Sequence, residues 1–217
     1  ENPSPPTGPM PLTTVEAWIL AGGEGRRMGG LDKGLVIHQG QPLVNAVLDR
    51  IAPSCTRVSV LANRHLDDYA ALLQAAGHTH GITTQVRPDD GDLPARSGPM
   101  AGVLTALRHS QAPWIWLNPC DTPRLPDALL GRLMEVAQAD DADVVVAMTQ
   151  ESPCEQRHHW VCCLINRRVL PQTEEAFVKG ERKIGRWIQS LRWRTVCFDR
   201  PEEFMNINTL ETRHGGD

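Results

Sequence analysis

Between Leu20 and Gly34 the chain packs six glycines, two arginines and a lysine into one stretch, Leu20-Ala-Gly-Gly-Glu-Gly-Arg-Arg-Met-Gly-Gly-Leu-Asp-Lys-Gly34. Glycine leaves no Cβ between backbone and ligand and turns freely. Successive exposed N–H groups in such a turn form an anion-binding concavity, which Gly22, Gly23 and Gly25 would supply. Arginine adds forked donors for phosphate oxygens and lysine a compact charge, here Arg27 and Lys33, with Arg26 facing either phosphate or solvent. These residue types at this spacing suit the holding of a polyphosphate.

Two better-known phosphate loops are excluded. The Walker A pattern needs Ser or Thr after its lysine, and Lys33 is followed by Gly34. The dinucleotide fingerprint needs a third glycine, where Met28 stands; the acidic residue some distance on, Asp49, lies inside an apolar-periodic helix.

A second chemical block is Trp114-Ile-Trp-Leu-Asn-Pro-Cys-Asp121-Thr-Pro, in which a buried strand ends in a proline-bounded loop presenting one carboxylate. Mg²⁺ takes one or two carboxylates plus phosphate oxygens and keeps several waters, so Asp121 is the candidate metal ligand. The plainer alternative is an Asp that closes a turn or caps the next helix. Asp32, within the cationic stretch, reads as orienting Lys33 or the loop rather than binding metal. The acidic loop after Arg87 presents Asp89 and Asp90, with a solvated turn as the bland alternative. Gly98 and Gly102 open a helix whose N-terminus favours anions.

The elements that must position these loops alternate. Expected strands are Val15–Leu20, Arg57–Ala62, Thr84–Arg87, Trp114–Asn118, Asp143–Ala147, Trp160–Asn166 and Thr195–Phe198, with helices near Leu43–Ile51, Leu66–Ala75, Met100–His109 and Pro126–Ala137. Runs such as Val58-Ser-Val-Leu61 are apolar on both faces, as in strands covered by helices. The pattern predicts an α/β fold, a Rossmann-like three-layer sandwich with a mainly parallel sheet. Trp160–Asn166 has no long helix before it and reads as an antiparallel insertion. Ligands in such sheets collect at the carboxyl ends of strands, which gathers Ala21–Gly34, Asp89–Gly102 and Pro119–Pro123 onto one rim.

At 217 residues the chain suits a single domain over 15–217, with residues 1–14 as a disordered lead-in lacking the apolar core of a secretory signal. A net charge of −4 with the cations concentrated in one loop argues against a nucleic-acid binder. No apolar run approaches the roughly 20 residues that span a membrane. The six cysteines form no Cys-x-x-Cys pair, which suits a reducing cytoplasm without structural zinc. His158-His159 has no second ligand cluster to make a transition-metal site.

The stretch Leu20–Gly34, with its Gly-Gly-x-Asp-Lys-Gly ending, resembles the signature loop of the molybdenum cofactor guanylyltransferases (MobA-like). The likeness continues through Gly98-Pro-Met-Ala-Gly102, Pro119-Cys-Asp-Thr-Pro123 and Asn206-Ile-Asn-Thr209 in the same order, covering roughly Val15 to Glu211. It implies transfer of GMP from GTP to molybdopterin with release of pyrophosphate, and Mg²⁺ on Asp121. Arg27 and Lys33 would hold the phosphates, and Leu20–Gly22 with Asp89 or Asp90 the nucleotide. It further implies that Arg182 and Lys183 lie toward the pterin phosphate and that Asn206 and Asn208 meet polar groups or the metal environment. GTP and molybdopterin are the implied ligands, and molybdenum-insertion proteins and apo-molybdoenzymes the candidate partners. Cytidylyl relatives generally lack the Asp before the loop lysine, so Asp32 favours guanine. The alternatives are a related transferase using CTP or a sugar phosphate, and a non-catalytic protein that delivers the cofactor. The chain departs from the family pattern at Leu61, at His159-Trp160 and at Thr209-Leu210, positions that bear on the pterin and the sugar.

Overall fold

Val15–Leu20 forms β1, a central strand with neighbours on both sides, and it is buried on both faces as its near-continuous apolar run requires. The computed structural model describes residues 14–21 and 32–208; the lead-in expected over 1–14 lies, but for Thr14, outside the described residues. After β1 come a short hairpin, β2 (Ile37–His38) and β3 (Gln41–Pro42), and helix α1 (Leu43–Ile51). Then follow β4 (Arg57–Leu61), α2 (Leu66–His80), β5 (Thr83–Arg87), α3 (Pro99–His109), β6 (Trp114–Pro119) and α4 (Leu129–Asp140). The chain continues with β7 (Val144–Ser152), β8 (Glu155–Asn166), α5 (Leu170–Val178), α6 (Ile184–Gln189) and β9 (Trp193–Phe198).

Seven strands form one sheet in the order β5-β4-β1-β6-β8-β7-β9. All neighbours are parallel except at β8, which runs antiparallel to both β6 and β7. This is the antiparallel insertion expected from the absence of a helix before Trp160. The strand is longer than expected, beginning at Glu155, because the β7–β8 hairpin carries on past the covered sheet as an exposed ribbon of polar residues.

Strand alternation builds two cores. Ala17, Ile19, Trp116, Val145 and Leu164 face one side with α1, α2 and α4, while Trp18, Leu117, Val144, Val146 and Cys163 face the other with α3, α5 and α6. Helices thus cover both faces, giving the three layers the sequence implied. In α1 the buried residues Leu43, Val44, Val47, Leu48 and Ile51 recur at helical spacing. Gly98 precedes α3 with φ of +70°, a conformation open to glycine, and Pro99 then fits the first helical turn.

Helix α2 runs beyond the expected end at Ala75 to a left-handed cap at Gly81. Gly77 inside it is a packing residue, since a Cβ there would lie 3.0 Å from the Ile82 carbonyl oxygen. Among the described residues no helix is long and apolar enough to cross a membrane.

Candidate active site

In the register of β1 with β6, Leu20 lies opposite Pro119, so the loops after these strands leave the sheet side by side. The rim continues outward, because the Ala21 N–H donates to the Leu61 carbonyl at 2.8 Å and the Ala62 N–H to the Arg87 carbonyl at 3.1 Å. Gly22, Gly23, Gly25 and Arg27 lie outside the described residues. The loop re-enters at Asp32, and Lys33–Leu35 form a single 3₁₀ turn.

That turn carries Lys33 to Asp121. The ammonium donates to the Asp121 Oδ2 at 3.4 Å, with side-chain exposures of 39% and 18%. Such a pair contributes little to stability where water reaches it, so its interest is chemical: a cation and a carboxylate from opposite halves of the site meet at the rim. The Asp121 backbone is tied as well, its carbonyl accepting from the Ile207 N–H at 3.1 Å. This brings Asn206 and Asn208 beside Asp121, although they stand far along the chain.

Asp32 is turned inward and only 7% exposed. Its Oδ1 accepts from the Gly34 N–H at 3.3 Å and from the Tyr69 hydroxyl at 2.5 Å. Burial and the neighbouring Asp32 push the Tyr69 phenol far above its ordinary pKa, so it stays a donor. The space is tight: a Cβ at Gly34 would collide with the Tyr69 hydroxyl. Cys120 stays a neutral thiol, because burial, then the charges of Asp121 and Asp32, raise its pKa against the opposing pull of Lys33.

On the β4–β5 side the two candidate aspartates part company. Asp89 and Asn63 are bonded twice: the Asn63 amide donates to Asp89 Oδ2 and the Asp89 N–H to Asn63 Oδ1, each at 2.9 Å. Burial raises the Asp89 carboxyl above the usual carboxylate value, partly offset by Asn63, while Asp90 adds to the rise. Asp90 turns away: its Oδ2 accepts from Arg108 at 3.2 Å and its Oδ1 pairs with His109 Nε2 at 2.7 Å. Arg108 in turn reaches both Glu174 oxygens, at 2.7 and 3.0 Å.

Gly102 is where Leu20, Leu61 and Asp89 converge. A Cβ there would stand 2.8 Å from Leu20 Cδ2, 3.4 Å from Leu61 Cδ1 and 3.6 Å from Asp89 Oδ1. Glycine therefore lets α3 sit hard against the ends of β1 and β4. Leu61 itself is buried in this contact.

Arg182 lies in the α5–α6 turn. Its guanidinium donates to the Phe177 and Glu181 carbonyls at 2.6 and 2.9 Å and stacks 3.8 Å from the Phe177 ring centroid. Lys183 follows at the start of α6. His159 stacks on Phe204, centroids 4.7 Å apart, and its Nε2 pairs with the Thr149 hydroxyl at 2.8 Å. It thereby braces the segment that leads to Asn206.

Among the described residues no three His, Cys, Asp or Glu side chains gather as a metal cage. A single carboxylate of low exposure beside the Lys33 ammonium fits the few protein ligands that Mg²⁺ takes, and not the closed cage of a structural zinc. Asn63 and Tyr69 were not among the residues the sequence marked as site candidates. Their signals were present: Asn63 follows the last residues of a buried strand at the ligand-bearing rim, and Tyr69 is the chain's one tyrosine, on the apolar side of a helix.

Residues 17–196 match the model of the MobA-like NTP transferase domain. A molybdenum cofactor guanylyltransferase from Shewanella putrefaciens is 38% identical over 94% of this chain and 96% of its own length. One of the same name from Bordetella petrii is 37% identical over 91% and 94%. The fold is shared with molybdopterin-guanine dinucleotide biosynthesis protein A from Archaeoglobus fulgidus, at a TM-score of 0.61, 21% identity and coverage of 89% and 92%. It is also shared with 4-diphosphocytidyl-2C-methyl-D-erythritol synthase from Anaerococcus prevotii, at a TM-score of 0.70, 9% identity and coverage of 93% and 95%. A family match over that span, on a rim where loop lysine and strand-end carboxylate meet, makes the chain a nucleotidyltransferase belonging to the MobA-like NTP transferase family.

Proposed function

We propose that this nucleotidyltransferase moves GMP from GTP to the terminal phosphate of molybdopterin, with Mg²⁺ held by Asp121. The observation that carries the reading is the 3.4 Å approach of Lys33 to Asp121 across 88 positions of sequence. An oxygen of the acceptor phosphate attacks the α-phosphorus of GTP, the bond to the bridging α,β-oxygen breaks, and pyrophosphate leaves. The attacking group is already an anion, so no base is needed; the barrier lies in bringing two anions together and in line.

Lys33 neutralises that charge and positions the phosphates. Arg27 grips them from the loop, the backbone of Gly22, Gly23 and Gly25 donates around them, and the Leu20–Gly22 backbone lies against the nucleotide. Asp121 keeps the cation at the same rim, where Mg²⁺ supplies charge neutralisation at the α-phosphate and the departing oxygens. Asp89 accepts from the guanine edge, Gly98 lets the nucleotide approach the start of α3 while Gly102 seats that helix against Leu20 and Leu61, and Asp90 holds the acidic loop behind it. Arg182, Asn206 and Asn208 serve the pterin side. Residues 15–217 work as one domain on this reaction, and the six unpaired cysteines suit a cytoplasmic setting.

The deciding experiment gives the protein Mg²⁺, molybdopterin and each of GTP, CTP, ATP and UTP in turn, reading pyrophosphate release. GTP should dominate. Equal turnover of CTP would remove the base assignment, and cofactor binding without pyrophosphate release would remove the catalytic one.

A further inference from the structure

We propose that Tyr69 is a positioning residue for Lys33, acting through Asp32. Tyr69 is fully buried on α2. Its hydroxyl ends on the carboxylate of Asp32, the residue that caps the turn bearing Lys33. Asp32 Oδ1 receives the hydroxyl and the Gly34 N–H together, so one oxygen locks the helix to the turn. A carboxylate this buried must be satisfied by hydrogen bonds if it is to hold one orientation.

The steric fit works in the same sense. Gly34 has no Cβ, and the Tyr69 hydroxyl fills the space one would take. The remaining bonds of the turn, Leu35 N–H to the Asp32 carbonyl at 3.1 Å and Val36 N–H to the Lys33 carbonyl at 3.2 Å, radiate from the point that Tyr69 pins. Lys33 has a long flexible stem and reaches Asp121 through a single contact. Fixing its backbone from the rear removes one source of freedom at a site where orientation limits rate.

The inference rests on the reading of Lys33 as a phosphate-positioning residue, and a double-mutant cycle separates the two. Tyr69→Phe keeps the ring and removes only the hydroxyl. It should lower kcat on the order of tenfold, the scale of one hydrogen bond to a charged group, with a smaller change in KM for GTP. In a Lys33→Ala background, where turnover is already depressed, the same change should cost less than about twofold. If the two losses multiply independently, Tyr69 does not act through Lys33 and the proposal fails while the reading of Lys33 stands. If Lys33→Ala turns over at the full rate, that reading fails and takes the proposal with it.

Amide hydrogen exchange gives a readout separate from activity. In Tyr69→Phe the Gly34, Leu35 and Val36 amides should exchange several-fold faster while those of α1 keep their protection; unchanged exchange in the turn overturns the proposal. Should Tyr69→Phe not fold, Gly34→Ala tests the contact from the other side, since its methyl displaces the hydroxyl from Asp32. It should reproduce the kcat loss, and an unchanged kcat in Gly34→Ala likewise overturns the proposal.

Discussion

Asn63 and Asp89 hold each other at both ends, amide to carboxylate and backbone N–H to amide oxygen, each at 2.9 Å. The first bond stabilises the charged carboxylate, opposing the burial that raises its pKa; the second fixes the loop on which the carboxylate stands. Asn63→Ala removes both. Asp89 should then titrate still higher and lose its orientation, raising KM for GTP on the order of tenfold with kcat nearly unchanged. Steady-state kinetics on GTP check this, and a variant that loses kcat with KM intact would show that Asn63 serves the transfer step instead.

Asp90 should behave as the opposite of its neighbour. With both oxygens engaged by Arg108 and His109, it fastens the acidic loop to the end of α3, and Arg108 extends the hold to Glu174 on α5. Asp90→Ala should lower the melting temperature by several degrees, roughly 1–3 kcal/mol for partners left unmatched, and leave the preference for GTP over CTP in place. Asp89→Ala should do the reverse. Parallel melting and nucleotide-selectivity measurements on the two variants separate the roles.

The contrast between these two aspartates marks how far sequence could be read. β1 and α1 were legible to the residue, because each is a short apolar pattern with clear punctuation: a run apolar but for Glu16 before the glycines for Val15–Leu20, a 3.6-residue period after Pro42 for Leu43–Ile51. α5 and α6 were not, since the first is only nine residues long, with Pro171 in its opening turn, and the second has only six. The rim was legible from strand–loop alternation alone, which put the Lys33 and Asp121 loops together before any geometry. Which of the two aspartates is drawn toward α3 was not. That depends on the Thr105 hydroxyl, which accepts from the Asp90 N–H at 3.0 Å, and on Arg108 and His109 one helix away, and nothing local to Asp89-Asp90 encodes it. Tyr69 was hidden for the same reason: its partner stands 37 positions earlier.

Asp121→Ala should abolish metal-dependent turnover, at least a hundredfold in kcat, given the several kcal/mol that a bound cation supplies to a charged transition state. The fold should survive. The Lys33 pair it removes is partly exposed and weak, and alanine keeps the carbonyl that accepts from Ile207. A melting temperature within a few degrees of the parent, together with lost pyrophosphate release, is the expected pair of results. Full activity in this variant would remove Asp121 from the metal site.

Stability should begin to fall as pH drops below 6.5, and His159 is the reason. Burial, then the positive charges of Arg157 and His158, push its pKa down from 6.5 to about 4 against the pull of Glu151. The folded state thus keeps the ring neutral where the unfolded chain takes a proton. Stability from this source is complete above pH 6.5 and drains away as pH falls toward 4, with roughly one proton taken up on unfolding near pH 5. Below that range Asp143 takes over: burial raises its carboxyl, but bonds from Arg168 and Arg192 outweigh it and hold the value low. Its contribution is present above the ordinary carboxylate pKa and disappears as pH drops through the lowered one. Urea unfolding from pH 8 down to about pH 2 should show a slope between 6.5 and 4 that His159→Gln removes, leaving the Asp143 step at lower pH in place. A parent protein with flat stability across that window would mean that the ring on Phe204 is as easily charged folded as unfolded.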